Sequence, residues 1–355
     1  MHFFQNAADH FMKIPYTQLS LTIWLLLLLA LAFDFLNGFH DAANSVATIV
    51  STRVLSPFKA VMWAAFFNFI AFMLFHLKVA ATMGTGIIDP AVVDNRVIAA
   101  TLIAACAWDI ITWYWGLPTS SSHALIGGLI GAAVAKMGSV GPLQWHGIRT
   151  TAMFIILAPL IGMSIGYGIA IVVNWVCRNQ TPRRVDRVFR IGQLFSAAFY
   201  SLGHGGNDAQ KTMGIIFVLL IAASRGADGG VSFETPTEVP TEVVLACHLA
   251  MGVGTLFGGW RIVKTMGQKI IRLRPVDGFC AEGGAAATLV LTIFGGVPVS
   301  TTHTITGSII GVGAFKRVSS VRWAVAGQVV WAWIITIPAC IAIAAVSWWL
   351  LPMVY

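Results

Sequence analysis

The chain has 355 residues, of which 57% are hydrophobic and only 10% charged, and its mean hydropathy is +0.80. A soluble domain carries about 25% charged residues, so this composition excludes a water-soluble enzyme, a disordered chain and a secreted disulfide scaffold. A polytopic membrane protein remains. The net charge of +8 does not point to nucleic acid, because the basic residues cluster in short gaps between apolar stretches, as the positive-inside bias requires. Cys106, Cys177, Cys247, Cys280 and Cys340 are scattered without metal-ligand spacing. They read as small hydrophobes and give no dedicated metal or cofactor site.

Residues 1–18, with Asp9, His10 and Lys13, are too polar to span a bilayer. Residues 19–36 are apolar and run into Asn37, Gly38 and His40 rather than a small-residue cleavage site, which predicts a retained first span. Further apolar stretches cover 57–80, 97–137, 149–177, 191–224, 241–260, 277–315 and 323–351. Several exceed the ~20 residues of one straight crossing and carry Gly, Pro and Ser/Thr breaks. The fold class expected is an all-α inverted-repeat transporter with broken helices and two re-entrant hairpins.

That expectation rests on an internal repeat. Residues 116–131 read G-L-P-T-S-S-S-H-A-L-I-G-G-L-I-G, and residues 296–311 read G-V-P-V-S-T-T-H-T-I-T-G-S-I-I-G. A weaker pair upstream sets Leu36 to Asn44 beside Leu202 to Gln210. Each half thus has a Gly/Asn/Asp break first and a Gly-Pro-Ser/Thr-His break second. The first repeat is placed at 19–177, a basic joint at 178–190 and the second repeat at 191–355.

Loop charge sets the orientation. The joint holds Arg178, Arg183, Arg184, Arg187 and Arg190, and residues 261–274 hold Arg261, Lys264, Lys269, Arg272 and Arg274. Both are expected in the cytoplasm. Residues 81–95 carry Asp89 and Asp94 without a basic residue before Asn95, and 226–242 carry Asp228, Glu234, Glu238 and Glu242. Both are expected outside. The halves are then inserted upside down relative to each other, as in many secondary transporters. Parity makes 97–137 a re-entrant hairpin or an even number of crossings, with Pro118 to Ser122 at its tip. Both termini come out external.

Helix breaks inside a membrane are tolerated only where they are buried in protein or line an aqueous cavity. Ser120, Ser121, Ser122, Ser300, Thr301 and Thr302 supply hydroxyls at two such breaks, and the helices that follow present N-termini, which bind anions. The two facing clusters suit a tetrahedral oxyanion. Asp41 and Asp208 lie in the other breaks, where a carboxylate is expensive and marks function. Two carboxylates beside an anion, against the single charge of Lys211, imply bound cations. Asn37, Asn44, Asn207 and Gln210 add amide oxygens that a hard ion prefers. Glu282, between apolar residues and glycines, is a coupling-ion candidate; Asp109 is a weaker one. His40, His123 and His303 are candidate proton carriers.

The segments G-F-H-D-A-A-N-S-V-A-T (38–48), G-H-G-G-N-D-A-Q-K (203–211), G-L-P-T-S-S-S-H (116–123) and G-V-P-V-S-T-T-H (296–303) closely resemble the PiT family of inorganic phosphate transporters. The resemblance covers nearly the whole chain. It implies a symporter without enzymatic chemistry that imports phosphate with a proton or sodium, in a bacterial inner membrane. By resemblance, Asp41, Asn44, Asn207 and Asp208 form the paired signature holding phosphate and coupling ion. Ser120 to Ser122 and Ser300 to Thr302 form the tips that grip phosphate, with Lys211 beside them.

His40-Asp41 stands where sodium-coupled relatives carry Asn-Asp, which resembles members coupled to protons and divalent metals. Phosphate is then expected to travel as a neutral complex with magnesium or a similar ion. A homodimer is a further expectation. Alternatives are another oxyanion such as sulfate, a passive anion channel, or an intramembrane hydrolase or phosphotransferase. An enzyme has no need of two equivalent half-sites.

Cysteine labelling tests the orientation. An impermeant thiol reagent outside intact cells is expected to label Asp89→Cys and Glu238→Cys but not Arg184→Cys or Lys269→Cys. Labelling of the last two would refute the inverted arrangement.

Overall fold

A computed structural model describes residues 14–225 and 233–352. Asp9, His10, Lys13 and Asp228 lie outside the described residues. Helix α1 (Leu21–Ser51) starts where Ser20, in extended backbone, accepts a hydrogen bond from the Ile23 amide at 3.3 Å. It is followed by α2 (Pro57–Ile70) and α3 (Lys78–Thr85), bent by 85° between them. Next come α4 (Asn95–Trp115), α5 (Ser121–Met137) and α6 (Trp145–Cys177). The second half repeats the order with α7 (Pro182–Ser224), α8 (Thr241–Phe257), α9 (Trp260–Lys264), α10 (Pro275–Phe294), α11 (Thr301–Lys316) and α12 (Trp323–Leu350). The α8–α9 bend is 61° and includes the π-helical turn after α9.

Five described helices are long and apolar enough to cross a membrane, or up to seven if each bent pair is one span. The fold is therefore that of an all-α, multi-pass membrane protein.

One expectation needs correction. The segments 37–44 and 203–211 are not helix breaks: α1 and α7 run through them without interruption. Their glycines serve close approach instead. A Cβ on Gly38 would collide with the Met251 carbonyl oxygen of α8, and one on Gly205 with the Asn68 carbonyl oxygen of α2. The breaks of this fold lie at the α2–α3 and α8–α9 bends and at 116–120 and 295–300. In addition, the basic joint is mostly helical, because Pro182 fits the first turn of α7 and the Asp186–Arg190 pair, 3.0 Å apart, supports that turn.

Each Gly-Pro-Ser/Thr break closes a helical hairpin. Gly116 (φ +66) ends α4 and Gly296 (φ +68) follows α10, a left-handed conformation that favours glycine. At the open ends, Lys136 bonds Asp94 at 2.7 Å and Lys316 bonds Asp277 at 2.6 Å. The start of each hairpin is thereby tied to its end.

The halves exchange partners. Helix α5 packs on α12 and α11 on α6, while α1 packs on α8 and α7 on α2 and α3. Small residues allow it. Gly127 and Gly131 face the carbonyls of Ile337 and Ile341 in α12; the equivalent Gly307 and Gly311 face those of Pro159 and Met163 in α6. Overpacking costs about 1–3 kcal/mol even where side chains can shift, and here the obstacle is backbone. Gly131→Val and Gly311→Val are each expected to lower the thermal midpoint in detergent by several degrees. Gly168→Ala, where a Cβ meets nothing within 4 Å, should leave it unchanged. An unaltered midpoint in both valine variants would contradict this packing.

Candidate functional site

The N-terminal tips of α5 and α11 are buried against the middle of α1 and α7. Ser120 and Ser300 act first as helix caps, accepting from the amides of His123 at 3.3 Å and His303 at 3.2 Å. Ser122 accepts from the Lys211 ammonium. Thr301 donates to Asp208 Oδ2 at 2.9 Å, and Thr302 donates to Asp41 Oδ1 at 3.4 Å. Asn44 Nδ2 donates to the Thr302 hydroxyl at 2.9 Å. The pattern is pseudo-symmetric: Asn44 of α1 holds one tip as Lys211 of α7 holds the other.

Lys211 also donates to Asp208 Oδ1 at 2.5 Å and to the Val299 carbonyl at 2.8 Å. Asn207 supports Asp208 Oδ1 at 3.0 Å, in the way His40 Nδ1 faces Asp41 Oδ1 at 2.9 Å. Carboxylate oxygens of Asp41 and Asp208 and a ring nitrogen of His204 lie within 4.8 Å of one another, all buried. Asp41, Asp208 and His204 could therefore hold a cation. Asn44 Oδ1, Asn207 Oδ1 and Ser121 Oγ are buried without a hydrogen-bond partner. A buried group left unpaired costs about 1–3 kcal/mol, so these three atoms suit a ligand.

Hydrogen-bond direction defines two histidines. Asn68 donates its amide to Thr255 at 3.0 Å and turns Oδ1 to His204 Nδ1 at 3.2 Å, so Nδ1 carries a proton. The other nitrogen, Nε2, stands 3.2 Å from Asp208 Oδ2. A lone pair facing a carboxylate is repulsive, so a proton or cation belongs between them. Thr112 uses its one proton on the Trp108 carbonyl at 2.8 Å and can only accept from His40 Nε2, 3.0 Å away. His40 Nδ1 stands against the Asp41 carboxylate, an arrangement that a proton shared by the pair would satisfy.

Other candidates fall elsewhere. Glu282 accepts from Thr48 at 2.6 Å, from Gln193 at 2.9 Å and from Ser196 at 2.5 Å. Thr48 is two helical turns past Asp41, about 10 Å along α1. Glu282 thus lies apart from the two aspartates. Asn37 is buried one turn before Asp41. His123 and His303 meet edge to face at 4.8 Å, and His303 stacks on Trp333 at 3.8 Å. Asp109 is buried with neither carboxylate oxygen hydrogen-bonded. Gln210 bonds backbone of α3 and α7.

Three residues escaped the sequence reading. His204 and Asp208 are four apart, one above the other on a helix face, and that spacing was a usable signal. Asp34 accepts from Thr212 at 2.9 Å; it was hidden inside an apolar run. Tyr200 donates to the Thr301 carbonyl at 3.3 Å. These residues extend a buried polar row. Asp34 meets Thr212, Ser45 meets His204 at 3.3 Å, and Thr52 meets Gln193 at 2.8 Å. Numbers rise along α1 as they fall along α7, so these two helices run antiparallel. From Asp34 to Thr52 the row is about 27 Å long, close to the hydrocarbon thickness of a bilayer.

Residues 37–344 match the family model described as "Phosphate transporter family". The chain belongs to the phosphate transporter family. A relative in Rhizobium meliloti, named "Probable low-affinity inorganic phosphate transporter", is 57% identical over 91% of this chain and 94% of its own. One of the same name in Bacillus subtilis is 43% identical over 95% of this chain and 99% of its own. A solved structure titled "The sodium-dependent phosphate transporter" has a TM-score of 0.82 at 23% identity, over 93% of this chain and 98% of that one. That likeness bears on the fold alone. In this member of the phosphate transporter family, the motifs on which the resemblance was drawn are those that meet around Asp41 and Asp208.

Removing one partner of a buried ion pair costs about 3–5 kcal/mol. Lys211→Met is therefore expected to lower the thermal midpoint more than Lys211→Met/Asp208→Asn, in which the orphaned carboxylate is neutralised. A double variant no more stable than the single would detach Lys211 from Asp208.

Proposed function

We propose that this chain is a secondary active symporter that imports inorganic phosphate across a bacterial inner membrane, driven chiefly by protons. The observation that carries the reading is the meeting of two Ser/Thr-tipped helices, one from each half, over Asp41 and Asp208. Phosphate is bound by the tips, through the Ser121 and Ser122 hydroxyls, those of Thr301 and Thr302, and the amides of the first turns of α5 and α11. Lys211 offers its charge from one side. Asn44 and Asn207 turn their unused carbonyl oxygens to a cation.

Charge accounts for the coupling. Lys211 offsets Asp208, and a proton shared by His40 and Asp41 would offset the second carboxylate. Phosphate adds one or two negative charges, and each net negative charge moved into a negative interior costs about 2.3 kcal/mol per 100 mV. A co-bound cation removes that cost. The group formed by Asp41, His204 and Asp208 is read as the place where it sits, as a proton or as a divalent metal ion carried with phosphate. His40 is assigned as proton carrier. His123 and His303, packed on each other and on Trp333, are assigned to holding the two tips together, and Glu282 to a polar station further along the row.

The antiparallel course of α1 and α7 supports inverted repeats, since the two carry equivalent aspartates. Helices α5 and α11, at 17 and 16 residues, are shorter than a span, and their tips are buried. Both features favour re-entrant hairpins. The helical joint moves the proposed repeat boundary from 190 to near 181.

Uptake of labelled phosphate into proteoliposomes tests the function. Accumulation is expected with an inward proton gradient and magnesium, and is expected to persist when sodium is replaced by potassium. Asp41→Asn and Asp208→Asn are each expected to abolish accumulation with membrane insertion intact. His40→Asn is expected to keep phosphate counterflow but lose the response to pH. Strict sodium dependence at constant pH would refute proton coupling, and normal accumulation by both aspartate variants would remove them from the site.

A further inference from the structure

A groove of about 830 Å³ opens between α6, α7, α10 and α11, far along α7 from Asp208. Its rim carries Arg183, Arg187, Arg190, Arg274 and Lys316, against the carboxylates of Asp186 and Asp277. Those carboxylates are already engaged: Arg190 bonds Asp186, and Lys316 and Arg274 share Asp277 at 2.6 and 3.6 Å. Neither Arg183 nor Arg187 has an ion-pair partner among the described residues. The floor is different in kind, formed by Ala170, Val173, Val312 and Phe315. Beside it, α6 exposes Val172, Trp175 and Val176.

Neither the tip residues nor the side chains paired along the polar row line this groove, which sets it apart from the proposed phosphate site. A free, fully hydrated anion would gain nothing from an apolar floor. An anion joined to hydrocarbon would use both parts. Arginine forks match phosphate oxygens in pairs, and basic pockets between membrane helices suit anionic head groups. The exposed apolar side of α6 offers a continuous surface for acyl chains.

We propose that this groove binds an anionic phospholipid, its phosphodiester held by Arg183, Arg187 and Arg274 and its chains laid along α6. The site ties the first half, through α6, to the second, through α7, α10 and α11. A bound lipid there bridges the two repeats at the open end of the second hairpin. The inference stands without the transport reading, since it uses none of those residues.

Native mass spectrometry of the purified full chain, with phosphatidylglycerol and phosphatidylcholine as probes, tests it. Phosphatidylglycerol is expected to be retained at least about tenfold better, because phosphatidylcholine places a quaternary ammonium beside the same phosphodiester, which opposes the arginines, whereas phosphatidylglycerol keeps its net negative charge for charge-assisted hydrogen bonds. Arg183→Gln/Arg187→Gln/Arg274→Gln should abolish the preference, while Arg149→Gln/Lys264→Gln/Arg322→Gln, with the same charge change elsewhere, should keep it. Val173→Trp, which fills the floor and leaves every charge in place, should also reduce retention. Equal loss in both triple variants would reduce the effect to net charge and overturn the proposal. Displacement of the lipid by millimolar inorganic phosphate, or indifference to Val173→Trp, would assign the groove to a free anion and overturn it as well. Should the arginine variant fail to fold, Val173→Trp and the phosphate displacement decide alone.

Discussion

Charge buried in hydrocarbon cannot be left alone, and the rest of this structure depends on how its two central aspartates are compensated. Asp41 and Asp208 are buried and close enough to repel each other strongly. Desolvation alone would cost several kcal/mol for each ion. Each is therefore ringed. Asp41 receives His40 and Thr302; Asp208 receives Lys211, Asn207 and Thr301. These partners come from both long helices and, through the threonines, from a tip of the second half. The network forces α1, α7, α5 and α11 together at one depth and explains why no single half could form the site.

Close packing makes that convergence possible. Each tip belongs to a helix that leans on the long outer helix of the opposite half, backbone against backbone, through glycines one turn apart. Lipid offers little driving force for helix association, so dispersion and close approach must supply it. A larger side chain at Gly311 would move the α11 tip away from the two aspartates, and one at Gly131 would move the α5 tip away from Lys211. Local packing far from the site and charge balance within it are thus parts of one constraint.

Much of this was legible in the sequence, for physical reasons. The 16-residue duplication marked both tips, because capping and close packing demand Ser, His and Gly at fixed spacing. Asp41 and Asp208 stood out by the cost of a carboxylate among Gly and Asn in an apolar setting. Three things were not legible. Glycine signals a break and a close approach equally, so Gly38 and Gly205 suggested interruptions where the helices are continuous. The weak upstream alignment was guided by Leu and Gly and fell one residue short of setting Asp41 against Asp208. Asp34 and His204 depend on partners more than a hundred residues away, Thr212 and Asn68, which no local pattern reveals.

The departures from symmetry carry the most meaning. Setting Asp41 against Asp208 pairs His40 with Asn207 and Asn44 with Lys211. One half therefore compensates its aspartate with a permanent cation three residues later, and the other with an imidazole one residue earlier. The two compensations differ in kind, an ammonium that also reaches the Ser122 hydroxyl and an imidazole that also reaches the Thr112 hydroxyl. The half containing Lys211 supplies a positive anchor for a tip, and the half containing His40 supplies the imidazole to which the proposed coupling assigns the proton. The antiparallel course of α1 and α7 brings these unlike partners to the same depth, on either side of the two aspartates. On the proposed coupling, the proton-responsive pair would then lie in one half and the fixed cation in the other.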